Sequence, residues 1–540
     1  MRLLPEITPW NQWYWTAGED AVLRIQGCAD CGQLVHPPQP ICPSCGSRSS
    51  APTDVSGRAV VAGYTVNSHV WGPDPAPPYV VAIVMLEEDR SVRLTTNVVG
   101  CEPDEVHVGQ VVEVEFLHED DVWIPVFHPT GETVANPVEE VPLPAPRPPL
   151  GDDRFEHRSV ISGIGRSKVG RRLMVEPLSL TVDACLAAVA DAGLELSDID
   201  GLSTYPGAVG MGMSEGGVSA LEDALRIHPT WINGGGDIPG QGGAVIAAMQ
   251  AVANGLCRHV LCFRTVWEAT FAALRMGGGG SGRMGGMMEW RAPYGAMSAA
   301  HWIAPAAHQY MHRFGATREL LGYIALNGRR NAGLNPGAIY RDPMTMDDYM
   351  SARQITSPFG LYDCDVPCDG AVTLVVSDAS VAGDLLHPAV RIDAVGTQLL
   401  DRTAWDQGTL THEPQVMGQA AHLWTRTDLT PGDVDVALLY DGFSFNCVSW
   451  IEGLGFCGVG EAQDWMDGGA RIALDGDLPL NPHGGQLSEG RLHGFGFLHE
   501  AVVQLRGDGG ERQVPGAATA VVSTGGGTPS SAFLFRRNGA

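Results

Sequence analysis

The stretch Ser-Val-Ile-Ser-Gly-Ile-Gly-Arg-Ser at 159–167 has a counterpart in Val-Arg-Ile-Asp-Ala-Val-Gly-Thr-Gln at 390–398. In both, an apolar run of strand character ends in a glycine turn and leads into a helix. The first copy continues to LSDIDGLSTYPG (196–207) and the second to TPGDVDVALLYDGF (430–443). In each, a Ser/Thr-x-x-Asp helix start or its near equivalent is followed by an Asp-rich turn into another strand. The order and spacing match over about 50 residues, which predicts a duplicated α/β unit. Its halves are expected at about 155–387 and 388–540.

Upstream, residues 137–149 read PVEEVPLPAPRPP. Proline at this density continues neither a helix nor a central strand, so 136–154 reads as an extended linker. Before it, RAVVAGYTV, YVVAIVML, RLTTNVVG and VVEVEFL, separated by turn residues, predict a small all-β barrel over 51–135. Residues 1–50 are expected to form an N-terminal helix and a metal ribbon. Cys28-Ala-Asp-Cys31 and Cys42-Pro-Ser-Cys45 are two Cys-x-x-Cys knuckles ten residues apart. Two such knuckles close a tetrahedral four-thiolate shell around zinc, and a closed shell is structural rather than catalytic. The Gly- and Met-rich stretch 276–297 reads either as a mobile surface loop or as an adaptable lid over an apolar substrate.

Composition narrows the function classes. The chain has 540 residues, 44% of them hydrophobic, too many for one ordinary core. A formal charge of −28 argues against a nucleic-acid partner, which needs clustered Lys and Arg. Neither a long uncharged apolar run nor a basic start followed by an apolar stretch is present, so no membrane span is expected and a cytoplasmic location follows by default. Of the twelve cysteines, the eight outside the knuckles read as buried thiols.

Two resemblances attach to these residues. RIQGCADCGQLVHPPQPICPSCGS followed by a barrel resembles the acyl-CoA-associated family that pairs a rubredoxin-like zinc ribbon with an OB-fold. Residues 155–540 resemble the thiolase superfamily, nearest the sterol-carrier-protein type, which implies a five-layer αβαβα fold. The matching motifs are Asn481-Pro-His483-Gly484-Gly485 through Gly490-Arg491-Leu-His493-Gly494, Ser523-Thr-Gly525-Gly526-Gly527, and Tyr440-Asp441-Gly442-Phe443-Ser444. The departures from the family pattern bear on chemistry. Gly240 falls about where the nucleophilic cysteine belongs, and the second cysteine is Ser523. The usual histidine is Arg491, and the sterol-carrier histidine is Tyr440. Covalent acyl transfer needs an activated thiolate, and neither motif position has a cysteine.

Glycine turns at 240–243 and 525–527 still let backbone amides approach a thioester oxygen. A site that holds an enolate without a nucleophile suits retro-aldol cleavage of a β-hydroxyacyl-CoA. The resemblance extends to the steroid side-chain-cleaving aldolases, which carry the Tyr-Asp motif, although there a Tyr is expected where this chain has Arg491. It implies Tyr440, Arg491 and His493 as catalytic residues. It implies Gly240, Asn481, His483, Ser523 and Gly525 as the oxyanion and substrate-binding set. The expected products are a ketone or aldehyde plus acetyl-CoA or propionyl-CoA from a bulky, steroid-type substrate. The alternatives are a thiolase-like acyltransferase and a non-catalytic acyl-CoA-binding partner of an enoyl-CoA hydratase. Thiolase-like domains pair, so a homodimer is expected, and a hydratase partner is implied by the resemblance alone.

Overall fold

A computed structural model describes residues 2–72, 74–138, 144–207, 216–274, 282–402, 404–408, 410, 416–525 and 530–537. The two copies recognised in the sequence take equivalent places. In the first, strand Ser159–Arg166 leads to helix Pro177–Asp191, a 3-10 turn at Leu196–Asp198 and strand Gly201–Thr204. In the second, strand Val390–Gly396 leads to helix Val416–Trp424, a turn at Pro431–Asp433 and strand Val436–Leu438. Both 3-10 turns start with a reciprocal cap, Glu195 with Asp198 and Thr430 with Asp433.

Nine strands join in one sheet with Ser159–Arg166 and Val390–Gly396 side by side at its middle. Outward from that junction the first half runs Asp369–Asp378, His259–Trp267, Gly201–Thr204 and Trp231–Asn233. The second runs Ser531–Arg537, Thr519–Thr524 and Val436–Leu438. Corresponding strands lie at the same distance from the junction, as duplication requires. The junction itself pairs at Ile161 and Val390, so the halves are free to fold face to face. Helix Gly243–Ala253 packs on the first half, and helix Phe495–Arg506 touches strands of both. These two apolar helices form the middle layer, with Pro177–Asp191 and Val416–Trp424 on the outer faces. Cys257 and Cys262 are buried in this core, as expected.

The N-terminal region has a three-stranded sheet carrying the four cysteines and a barrel of strands Arg58–Asn67, Tyr79–Leu86, Arg93–Thr96, Gln110–Glu119 and Val122–Thr133. Every residue of Tyr79–Leu86 is buried, where alternation with a solvent face would be expected of a free barrel. The cause is contact with helix Ala299–Phe314, which crosses the barrel so closely that a Cβ on Gly63 would lie 2.5 Å from the Pro305 carbonyl oxygen. The barrel is therefore clamped to the thiolase-like domain rather than held off by a spacer. Residues 139–143 of the linker lie outside the described residues.

The Gly- and Met-rich stretch corrects the lid reading. Residues 275–281 lie outside the described residues, but 282–297 dock against the N-terminal region. Leu4 pairs with Arg283, and Trp290 stacks on the fully buried Trp15 with ring centroids 5.3 Å apart. Removing an indole so buried costs about 3–5 kcal/mol, so this contact holds the domains together. Asp406 adds a polar tie, accepting from Thr95 of the barrel at 2.8 Å and from Arg291 at 3.0 Å. Gln354–Thr356 and Phe359–Gly360, from the thiolase-like domain, extend the barrel's sheet through Thr356 and Asn67. Among the described residues, no helix is long and apolar enough to cross a membrane.

Candidate active site

The end of strand Thr519–Thr524 is the hub of the site. The backbone N–H of Tyr440 donates to the Ser523 hydroxyl at 2.8 Å. The N–H of Gly242, at the start of the first central helix, donates to Thr524 Oγ1 at 3.2 Å. A Cβ on Gly494, which caps the second central helix, would lie 2.9 Å from Thr524 Cβ. One on Gly525 (φ +97°) would lie 3.2 Å from Gln241 Oε1. Both helix N-termini, which carry positive partial charge, thus close on Thr524, the neighbour of the Ser523 that receives the Tyr440 N–H. Gly240 (φ +60°) turns the chain into the first of these helices. Gly526 and Gly527 lie outside the described residues.

Tyr440 follows the short strand Val436–Leu438 and is 5% exposed. A Cβ on Gly442 would fall 2.6 Å from its ring and 3.2 Å from its hydroxyl, so glycine there makes room for the phenol. Asp441 turns the other way and accepts from the Gln486 N–H at 2.7 Å. Burial pushes its carboxyl up to about 7, although the N–H groups of Gln486 and Leu487 pull it down. A Cβ on Gly485 (φ +61°) would lie 1.9 Å from Asp441 Oδ2, which accounts for glycine at this point of the loop.

The remaining expected residues divide. Asn481 uses its amide on the backbone of Leu439, accepting at 2.8 Å and donating at 2.9 Å, and so braces the segment that carries Tyr440. His483 is 2% exposed, with its ring centroid 5.1 Å from Phe497, whose ring is 6.2 Å from that of Tyr440. Its Nε2 lies 3.6 Å from Glu489, and burial holds it below the usual histidine range. Glu489 is itself held by Arg166 at 2.8 Å and Asn335 at 3.1 Å.

Arg491 and His493 belong to a charged cluster with Arg264, Glu268 and Asp365. Arg491 pairs with Glu268 and, at 3.1 Å, with Asp365. Burial first, then the Arg264 charge, lowers it to about 10, which leaves it cationic at neutral pH. Asp365 is pushed well above the carboxylate range by burial and by Asp441, so Glu268 is the main counter-charge. The backbone N–H of Asp365 donates to the Gly442 carbonyl at 3.0 Å, tying this cluster to the Tyr440 turn. His493 contacts Arg264 and faces Glu268. Arg264, Glu268 and Asp365 escaped sequence reading. The available signal was an arginine in the otherwise apolar run HVLCFRTVW, the strand His259–Trp267.

In the ribbon, the four cysteine sulfurs lie within 4.8 Å of one another. Cys28 and Cys45 are 3.6 Å apart and Cys31 and Cys42 3.7 Å. A tetrahedral zinc with Zn–S of about 2.3 Å spaces its sulfurs by about 3.8 Å, so the residues fit that ion. Cavities of about 830 Å³ beside Arg330 and Arg341, and about 1030 Å³ between the ribbon and Arg402 and Gln407, lie outside the Tyr440 site.

Comparison with known proteins agrees with this anatomy. Residues 15–50 match the model for the ChsH2 rubredoxin-like zinc ribbon domain, 52–117 that for the ChsH2 C-terminal OB-fold domain, and 403–535 that for the thiolase C-terminal domain-like family. A steroid side-chain-cleaving aldolase of Thermomonospora curvata is 34% identical over 389 residues, 70% of this chain and 97% of that protein. A 17-hydroxy-3-oxo-4-pregnene-20-carboxyl-CoA lyase of Mycobacterium tuberculosis is 34% identical over 400 residues, 70% of this chain and 99% of that protein. The solved structure of an Ltp2–ChsH2(DUF35) aldolase superposes with a TM-score of 0.64 at 31% identity, covering 71% of this chain and 99% of that one. A thiolase-like fold with a tyrosine at its hub and no cysteine at positions 240 and 523 is thus joined to a ribbon and barrel of the ChsH2 type, and the chain belongs to the steroid side-chain-cleaving aldolases of the thiolase superfamily.

Proposed function

We propose that this carbon–carbon lyase performs retro-aldol cleavage of a bulky, steroid-type β-hydroxyacyl-CoA. Tyr440 takes the proton of the β-hydroxyl. The β-carbon becomes a ketone or aldehyde as the Cα–Cβ electrons pass to the thioester as an enolate. Protonation of the α-carbon then releases acetyl-CoA or propionyl-CoA. Backbone amides around Gly240, Ser523 and Gly525 would stabilise the enolate oxygen, with a few kcal/mol for each aligned donor. Arg491 would favour the phenolate by its charge, Asn481 would hold the Tyr440 segment, and His483 would stiffen the loop. The observation that best supports this reading is the anchoring of the Tyr440 backbone on Ser523, beside the Thr524 hydroxyl that receives the Gly242 N–H, with no cysteine at positions 240 and 523.

The β-hydroxyl is the group that hydration of an unsaturated thioester supplies, so an enoyl-CoA hydratase is the expected upstream partner. Pairing of two copies through the sheet edge at Trp231–Asn233 would give a homodimer in the cytoplasm. Zinc in the four-cysteine site would be structural.

Mass spectrometry of products from a panel of β-hydroxyacyl-CoA thioesters tests the reading. A ketone or aldehyde together with a short acyl-CoA is expected. A stoichiometric acyl-enzyme would instead return the chain to the acyltransferases, and absence of turnover by the full chain would make it a carrier.

A further inference from the structure

Arg264 Nη2 lies 2.5 Å from His493 Nδ1. A guanidinium has only donors to offer, so Nδ1 must accept. A neutral imidazole in that contact carries its one proton on Nε2. The guanidinium is held elsewhere too, since Nη1 donates to the Tyr205 carbonyl at 2.5 Å. On the other side of the ring, Nε2 faces Glu268 Oε1 at 3.8 Å, and a carboxylate there favours a proton on that nitrogen. The histidine backbone sits at φ +48°, next to Gly494, on which a Cβ would lie 2.9 Å from Thr524 Cβ, so a constrained turn joins the ring's residue to the strand end that holds Tyr440.

We infer that Arg264 is a positioning residue that locks His493 in the Nε2–H form, making the imidazole a fixed hydrogen-bond donor to a developing oxyanion and not a base. The identity of that oxyanion, the thioester enolate oxygen, rests on the lyase reading; the lock does not. The charged groups facing the ring are Arg264 and Glu268 from the first half and Arg491 from its own loop, with Asp365 behind Arg491. Burial and the two guanidinium charges hold His493 well below the usual histidine range, so it stays neutral while donating.

The lock is read directly from the full-length protein labelled with ¹⁵N-histidine. Long-range ¹H–¹⁵N correlation, with His493 assigned by His493→Gln, distinguishes the two tautomers. The parent is expected to show Nε2–H throughout neutral pH. Arg264→Met removes the donor, so the single tautomer should be lost and the ring should begin to titrate nearer its ordinary range. Its kcat should fall about 100- to 1000-fold, the range for losing one oxyanion donor, with little change in KM. Arg264→Lys retains a donor and a charge and should restore the Nε2–H pattern. An Nδ1–H ring or an imidazolium in the parent overturns the inference. So does Arg264→Met with tautomer and kcat unchanged. Should Arg264→Met not fold, the parent spectrum decides alone. An Nε2–H ring in a protein that cleaves no β-hydroxyacyl-CoA leaves the lock standing and removes the lyase reading.

Discussion

The hydroxyl of Ser523 accepts the backbone N–H of Tyr440 at 2.8 Å. The residue standing in the thiolase cysteine position therefore anchors the residue standing in the sterol-carrier histidine position. Ser523→Ala would leave that buried N–H without its acceptor, at a cost of about 1–3 kcal/mol. Denaturant unfolding should show that loss. Cleavage should also slow, because the Tyr440 segment loses one of its supports, of which Asn481 is another.

Tyr440→Phe removes one oxygen and keeps the ring, so packing against Phe497 should survive. A positioned acid/base contributes about 10²–10⁴-fold. Cleavage of a confirmed substrate should drop by that factor while thioester affinity holds. Near-parental turnover would make Tyr440 structural. Arg491→Lys should also be harmful, since a point charge cannot span both Glu268 and Asp365 as the planar fork does.

Asp441 gives a pH dependence of stability. Its folded pKa of about 7 lies above the ordinary value of 3.8, so the native state binds a proton that the unfolded chain releases. Its contribution is present below the unfolded value and lost as pH rises through the folded one, a change of at most about 4 kcal/mol. Asp441→Asn should flatten the fall in Tm between those pH values. An identical slope in parent and variant would count against a protonated Asp441.

Gly485→Ala should be among the most damaging single-methyl changes in the loop. It would drive a Cβ into Asp441 at a positive φ, and strain of this kind costs about 1–3 kcal/mol before the clash is relieved. Thermal unfolding of the variant against a neighbouring Ser488→Ala control measures the difference.

Zinc should be present at about one ion per chain, and Cys28→Ser with Cys42→Ser should release it and loosen the ribbon. Full metal retention by the double variant, measured by elemental analysis, would remove the assignment.

The local elements were legible because the sequence carries its own punctuation. The glycine turns after 159–166 and 390–396 and the Asp-ended 3-10 turns lie where the repeat placed them. Two of the three motifs touch, through the Tyr440 N–H on the Ser523 hydroxyl. What was not legible depends on side chains from distant segments. Arg264, Glu268 and Asp365 sit outside the three motifs, and their meeting with Arg491 follows from the sheet order, not from spacing along the chain. Asn481 and His483 were singled out by the motif match, yet only their partners reveal that one braces backbone and the other lies behind Phe497. The stretch 282–297 misled because small and flexible side chains suit a docking surface as well as a lid.

The strand Gln354–Thr356 is part of the catalytic domain by sequence and part of the barrel by hydrogen bonding, with Ser68 donating to the Ile355 carbonyl and Ser357 to that of Val66. From there the chain runs to Phe359, stacked on Phe443 at 5.3 Å, and so to the turn beside Tyr440. Each module alone would expose a raw edge that its neighbour covers. Encoding both on one polypeptide fixes their ratio at one to one and spares either from waiting, sticky and half-finished, for the other to be made.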